Sequence, residues 1–180
     1  ARLEPQKNPS CLRKGQIYAR KQGCQAILLG SSPDPKTHRL FVKEAQKYAT
    51  DSKIRFLLKY DEKLSRMLYA AADFFLMPSN FAPCGLTQMI ALNYACTPIV
   101  HAVGGLKDTV FDVTTHGDKA NGFTHAKPSY WGLKRSIDRA LAQWQQDRCQ
   151  QLVANGLKQD RGWSAAAQKY ELLYQQLLHD

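Results

Sequence analysis

The chain reads as an α/β domain built on a doubly wound parallel sheet. Its apolar strands run continuously instead of alternating, which is how strands buried on both faces are written. Each is followed by residues with helical apolar spacing, the order of βα units wrapped around such a sheet. At 180 residues, 44% of them hydrophobic, the chain suits one domain with its own core.

The elements follow in order. QAILLGSSPDP supplies a strand over Ala26–Leu29 that stops at Gly30 and turns through Ser-Ser-Pro-Asp-Pro. KTHRLFVKEAQKYA is the helix after it, and KIRFLLKY a second strand over 54–58. DEKLSRMLYAAA is helical again, with Asp61 and Glu62 at the positive end of its dipole. DFFLMPS, GLTQMIALNYA and TPIVHAV then read as strand, helix and strand. Beyond Gly122 the pattern turns to three helices: YWGLKRSIDRALAQW, DRCQQLVANGLKQD and WSAAAQKYELLYQQLLH.

Open parallel sheets bind ligands past the carboxyl ends of their strands. The loops 31–35, 59–62, 79–86 and 103–107 are therefore the candidate site. In the third, a helix begins near Gly85, so the backbone N–H groups of Gly85, Leu86 and Thr87 form an anion site, with no side chain on Gly85 to block the approach. A plain βα turn is the alternative reading of the same residues. Arg2 and Lys7 are placed to clamp a diphosphate, or else belong to a solvated terminal segment. Tyr60 follows a strand, where its ring stacks on a base or simply packs. His101 ends a strand as a ligand donor or a structural histidine. Cys84 has no histidine placed by sequence to activate it, which excludes a cysteine hydrolase.

Lys and Arg outnumber Asp and Glu by 25 to 15, a formal charge of +10, which favours an anionic partner. The basic residues are dispersed and no nucleic-acid motif accompanies them, so nucleic-acid binding is disfavoured. Five cysteines without CxxC spacing exclude a disulfide scaffold and a zinc site and read as reduced thiols of an intracellular or organellar protein. No apolar run has the roughly 18 residues of a membrane span, and no signal pattern opens the chain.

Specific words carry a resemblance along essentially the whole chain: RLEPQK, LLGSSPDP, LLKYDEKLSRMLYAAADFFLMPS, PCGLTQMIAL, PIVHAVGGLKDTVFDV, NGF and WSAAAQKYELLY. They resemble the starch and glycogen synthases, retaining glucosyltransferases of the GT-B kind, and most of all the plant-type soluble starch synthases. The resemblance implies the Rossmann-like C-terminal half of a GT-B fold spanning residues 1–180, with 164–179 as the helix that crosses back to an N-terminal acceptor domain. It implies transfer of glucose from ADP-glucose to the non-reducing end of an α-1,4-glucan with retention, without metal or cofactor, in a plastid. By the same resemblance, Arg2 and Lys7 hold the diphosphate, Cys84 and Gly85 approach the glucose hydroxyls, and Leu86 and Thr87 offer N–H groups to phosphate. Tyr60 falls near adenine.

Three departures qualify it. Ala82 stands where the family writes glutamate in Glu-Pro-Cys-Gly-Leu, and a methyl group cannot stabilise a cationic sugar; such a loss commonly costs on the order of a hundredfold in turnover. This predicts a weak or inactive site, and as an alternative a non-catalytic scaffold that binds glucan or nucleotide sugar. Gln6-Lys7-Asn8 replaces Gln-Lys-Gly, a mild change because Asn tolerates positive φ. The chain also begins after the family's first strand and N-terminal domain, as a fragment of a longer polypeptide would.

Overall fold

In the computed structural model residues 2–160 and 162–179 are described; the ends of the expected domain, Ala1 and Asp180, and Arg161 lie outside the described residues. Among the described residues five parallel strands form: β1 (Ala26–Leu29), β2 (Ile54–Leu57), β3 (Phe74–Met77), β4 (Thr97–His101) and β5 (Phe123–His125). They are not one hydrogen-bonded sheet. β1 pairs with β2, and β3, β4 and β5 pair in that order. The N-terminal segment bridges the two groups at their carboxyl ends. Arg2 forms an isolated parallel bridge with Ser31, Leu3 N–H donates to Ser31 O at 2.8 Å, and Asn80 N–H donates to Gln6 O at 2.8 Å. Leu76 of β3 packs against both core clusters flanking this junction, so the apolar interior runs across it.

The helices are α1 (Pro9–Lys21), α2 (Pro35–Lys47), α3 (Glu62–Ala71), α4 (Thr87–Asn93), α5 (Gly105–Thr109), α6 (Tyr130–Gln145), α7 (Cys149–Lys158) and α8 (Trp163–His179). Their starts are chemically marked. Asp34 accepts from the N–H groups of Lys36 and Thr37, Asp61 from Leu64 and Ser129 from Gly132. Three elements go beyond the pattern read from the sequence. α1 is capped by Asn8 with Pro9 in its first turn, and its Gly15 lets α6 approach: a Cβ there would lie 2.5 Å from Leu133 Cδ2. β5 is only Phe-Thr-His, too short to stand out as an apolar run. α5 is a five-residue helix after the double glycine.

The core forms on both sides of the strands. Ile99, Phe123, Leu133, Ile137 and Ala140 pack beneath α1 and α6. Leu3, Leu28, Phe41, Ile54 and Phe56 fill the space under α2. Met77, Ala82, Val100, Leu106 and Val110 pack on the α4–α5 side. The opposite face of β1 is open, with Ile27 48% exposed, and Trp163, Tyr170, Leu172, Tyr174 and Leu177 of α8 are also exposed.

One buried ion pair pins α6. Arg139 meets Asp112 with Nη1 to Oδ1 at 2.7 Å and Nη2 to Oδ2 at 3.1 Å, and also donates to Thr124 O at 2.7 Å. Burial pushes the Asp112 pKa up, but the Arg139 fork, the Thr114 hydroxyl and the N–H groups of Thr114 and Thr124 hold it well below the usual carboxylate range.

Candidate functional site

The loops at the carboxyl ends of β3 and β4 are locked together by glycine. Gly105 N–H donates to Ala82 O at 3.0 Å. A Cβ on Gly105 would come 1.7 Å from Cys84 O, and one on Gly104 2.3 Å from Ala82 O. Only glycine at both positions allows the two backbones to lie against each other this closely. Behind them Gln88, fully buried, donates to Thr109 Oγ1 at 2.9 Å and joins α4 to α5. A Cβ on Gly85, whose φ is +69°, would meet the Gln88 amide at 2.8 Å. The Gln88 Oε1 atom is buried without a partner.

This packing leaves a turn of free donors. α4 starts at Thr87, two residues later than the sequence suggests, with Leu86 at its cap position. The N–H groups of Gly85, Leu86 and Thr87 donate to no other group among the described residues. Leu86 and Cys84 are exposed, so solvent or a ligand reaches this turn. Seven residues make a short dipole, and the chemistry offered here is chiefly hydrogen bonding to an anion.

The N-terminal cations reach the same region through the backbone. Pro5–Lys7 form a single 3-10 turn, and Gln6 O accepts from Asn80 N–H at 2.8 Å and from Phe81 N–H at 3.4 Å. Lys7 is therefore anchored on the loop that carries Cys84 to Thr87. Its ammonium pKa is lowered by partial burial and by the neighbouring charge of Arg2, with Glu4 opposing. Arg2 and Lys7 thus feel each other's field, as two cations around one diphosphate would. Arg2 is exposed and spends part of its charge on Glu4, 3.5 Å away.

Tyr60 stands apart. It is 83% exposed in the loop between β2 and α3 and has no ring or hydrogen-bond partner among the described residues. Ala82 is the opposite case at 2% exposure, with its methyl among Met77, Val100, Leu106 and Val110. Thr87 Oγ1 turns toward Met77 Sδ at 3.1 Å. Ala82 is thus an apolar plug beneath the loop. Among the described residues no group of three or more His, Cys, Asp and Glu is placed to hold a metal ion.

Asn8 and His101, both noted in the sequence, sit among polar contacts that the sequence does not specify, and His125 is not singled out there. Asn8 has a left-handed backbone, φ +50°, and touches two loops besides capping α1. His101 sits beside His125 in the β4–β5 register, ring centroids 5.6 Å apart. His125 is 7% exposed, neither of its ring nitrogens has a partner among the described residues, and burial, with the charges of His101 and Arg139, pushes its pKa down to about 4. His101 and His125 are the last residues of β4 and β5, and the three-residue β5 gives His125 no pattern by which to be read.

Comparison with known proteins places the family and the fold. The chain is 40% identical over 178 residues to a protein named as a probable chloroplastic/amyloplastic starch synthase 4 of Arabidopsis thaliana, covering 96% of this chain and 17% of that protein. It is 38% identical over 179 residues to a glycogen synthase of Protochlamydia amoebophila, covering 97% of this chain and 36% of that protein. The chain therefore spans well under half the length of these relatives. The catalytic domain of Arabidopsis thaliana starch synthase IV, solved with ADP and acarbose, superposes with a TM-score of 0.91 at 38% identity, over 100% of this chain and 38% of that one. A sucrose-phosphate synthase of Thermosynechococcus elongatus matches with a TM-score of 0.68 at 25% identity, over 99% and 44%. The two groups of parallel strands with glycine-locked loops are thus the C-terminal Rossmann-like domain of a GT-B glycosyltransferase. The model of the glycosyl transferases group 1 matches residues 1–159, and the chain belongs to that family.

Proposed function

We propose that this chain is the nucleotide-sugar-binding domain of a starch- or glycogen-synthase-type glucosyltransferase, taking ADP-glucose as donor and extending the non-reducing end of an α-1,4-glucan with retention. The observation that carries the reading is the tie from Gln6 O to Asn80 and Phe81, which sets the Lys7 turn against the loop bearing the free N–H groups of Gly85, Leu86 and Thr87. Departure of a nucleoside diphosphate leaves negative charge on its phosphates. Fixed cations and preorganised N–H donors lower the barrier by meeting that charge as it develops. Arg2 and Lys7 supply the cations, the Gly85–Leu86–Thr87 backbone supplies donors, and Cys84 lies beside the glucose. Tyr60 is an open ring platform for adenine, and no metal or cofactor is assigned a role. The glucan acceptor belongs to a further domain of the whole protein, with the exposed apolar residues of α8 as the surface that meets it. The plastid is the location read for a plant-type member.

A second reading is favoured by Ala82. Its burial among apolar side chains leaves no carboxylate at the position where the family places one, so the chain binds donor or glucan without transferring glucose. Two measurements separate the readings: calorimetric titration with ADP, and transfer of labelled glucose from ADP-glucose to glycogen by the full-length polypeptide, each with Ala82→Glu alongside. Binding with transfer supports the first reading. Binding without transfer supports the second, whether or not Ala82→Glu, whose side chain must leave the apolar cluster to act, restores it. Failure of the full-length protein to bind ADP sinks both.

A further inference from the structure

Beside the donor turn lies a set of polar contacts that the donor chemistry does not use. His101, nearly buried at the end of β4, faces Ser79 O with Nδ1 at 2.6 Å and Ala126 O with Nε2 at 3.2 Å. The imidazole thus lies between two carbonyl oxygens, one from each loop, within hydrogen-bond distance of both. The loop after β3 and the loop after β5 are joined through this one side chain.

Asn8 makes a second tie a few residues away. Its Oδ1 accepts from Cys11 N–H at 3.3 Å, while Nδ2 donates to Asn80 Oδ1 at 3.1 Å and to Pro128 O at 3.3 Å. Asn80 completes the circuit by donating Nδ2 to Pro5 O at 3.1 Å and its N–H to Gln6 O. Ser79 and Asn80 are therefore held from both sides, by His101 with Ala126 and by Asn8 with Pro128. Two residues further on, Ala82 O takes the N–H of Gly105, and the free donors follow immediately.

We propose that Asn8 and His101 are positioning residues of the donor site, a two-stranded clasp that sets one separation between the Lys7 turn and the N–H groups of Gly85, Leu86 and Thr87. Neither residue touches the ligand. They act through Ser79 and Asn80, and what the clasped site holds rests on the donor reading above. A diphosphate bound by two cations and several N–H groups needs them all placed to within about 0.5 Å, which the bare loops do not ensure.

The test uses His101→Phe, which keeps a ring and removes both nitrogens, and Asn8→Asp, which keeps the capping oxygen and the tolerance of positive φ but loses both donors. Amide exchange is followed across residues 78–87 and 123–129 and in the β4 core, together with ADP affinity by calorimetry. Each variant should exchange about tenfold faster in the loops with β4 unchanged, and bind ADP about tenfold more weakly. The double variant should lose less than the product of the two, since both ties hold one segment. Unchanged loop exchange, unchanged ADP affinity despite faster exchange, or fully multiplicative losses would each overturn the proposal. If the unaltered protein binds no ADP, the donor reading falls, and the exchange pattern alone decides whether the clasp exists. Should either variant fail to fold, His101→Leu and Asn8→Gly take its place, with the same changes expected and the same outcomes refuting the clasp.

Discussion

Replacing His125 by phenylalanine tests how the floor of the site is built. The imidazole is enclosed by His101, by the first turn of α6 at Gly132 and by β5 itself, with neither nitrogen hydrogen-bonded. Burial and the charges of His101 and Arg139 hold its pKa at about 4, against 6.5 for a free histidine. The unfolded chain therefore binds a proton at this residue between those values and the folded chain does not. Above pH 6.5 keeping this residue unprotonated costs the folded state nothing, and the cost grows as the pH falls toward 4. The gap is worth about 3 kcal/mol in total, of which about 2 kcal/mol falls between pH 7 and pH 4.5. Urea unfolding of the protein and of His125→Phe at pH 7, 5.5 and 4.5, with m-values compared, isolates the effect from the carboxylates that titrate in both. The unaltered protein should lose about 2 kcal/mol more than the variant over that span. At pH 7 the variant gains from removing unpartnered polar atoms, about 1–3 kcal/mol. Crowding against Gly132, where a Cβ would already lie 3.1 Å from the ring, offsets part of this gain. Parallel pH curves for the two proteins would show that His125 is solvated or paired, and the account of the site floor would fail.

Two further substitutions probe the frame. Arg139→Met leaves the Asp112 carboxylate buried and unpaired, so it should destabilise by about 3–5 kcal/mol in urea unfolding at pH 7, whereas adding Asp112→Asn should recover part of the loss. Because the Asp112 pKa is depressed, its contribution is present above the free value of 3.8 and lost as the pH falls below it; an unaltered acid limb in Arg139→Met would refute the pairing. Gly105→Ala must push the 82–84 backbone away from α5, since its Cβ would overlap Cys84 O. It should weaken ADP binding tenfold or more, and calorimetry showing undiminished affinity would separate the glycine lock from the donor turn.

What was legible in the sequence, and what was not, divides along the range of the interaction. β1 to β4 announce themselves as short runs rich in apolar residues, AILL, IRFL, FFLM and TPIVH, but the burial on both faces expected of such runs holds along the whole of β4 alone, since Ile27 of β1 and Arg55 of β2 are exposed. The loops past their ends follow from the topology of a parallel sheet, so the Cys84–Thr87 turn and the Gly104–Gly105 pair are readable as candidates. α1 hides because RKGQIYARK mixes cations with a glycine that is explained only by Leu133, more than a hundred residues away. β5 hides because three residues carry no periodicity. Ala82 shows the limit most sharply. From its place in a loop it reads as a gap in a catalytic wall, yet its methyl lies inside an apolar cluster contributed by β3, β4 and α5. A loop alanine has no pattern that distinguishes an exposed methyl from a buried one; burial is set by what folds over it. Restoring a carboxylate there therefore requires more than the residue itself. The side chain introduced by Ala82→Glu would have to leave the space between Met77 and Leu106 and emerge beside Cys84, or stay beneath the loop as a charge without a partner. The same reasoning explains the two glycines after β4. As a word in the sequence they mark a turn, whereas the Cys84 and Ala82 carbonyl oxygens show that they are required by contact with a loop some twenty residues earlier.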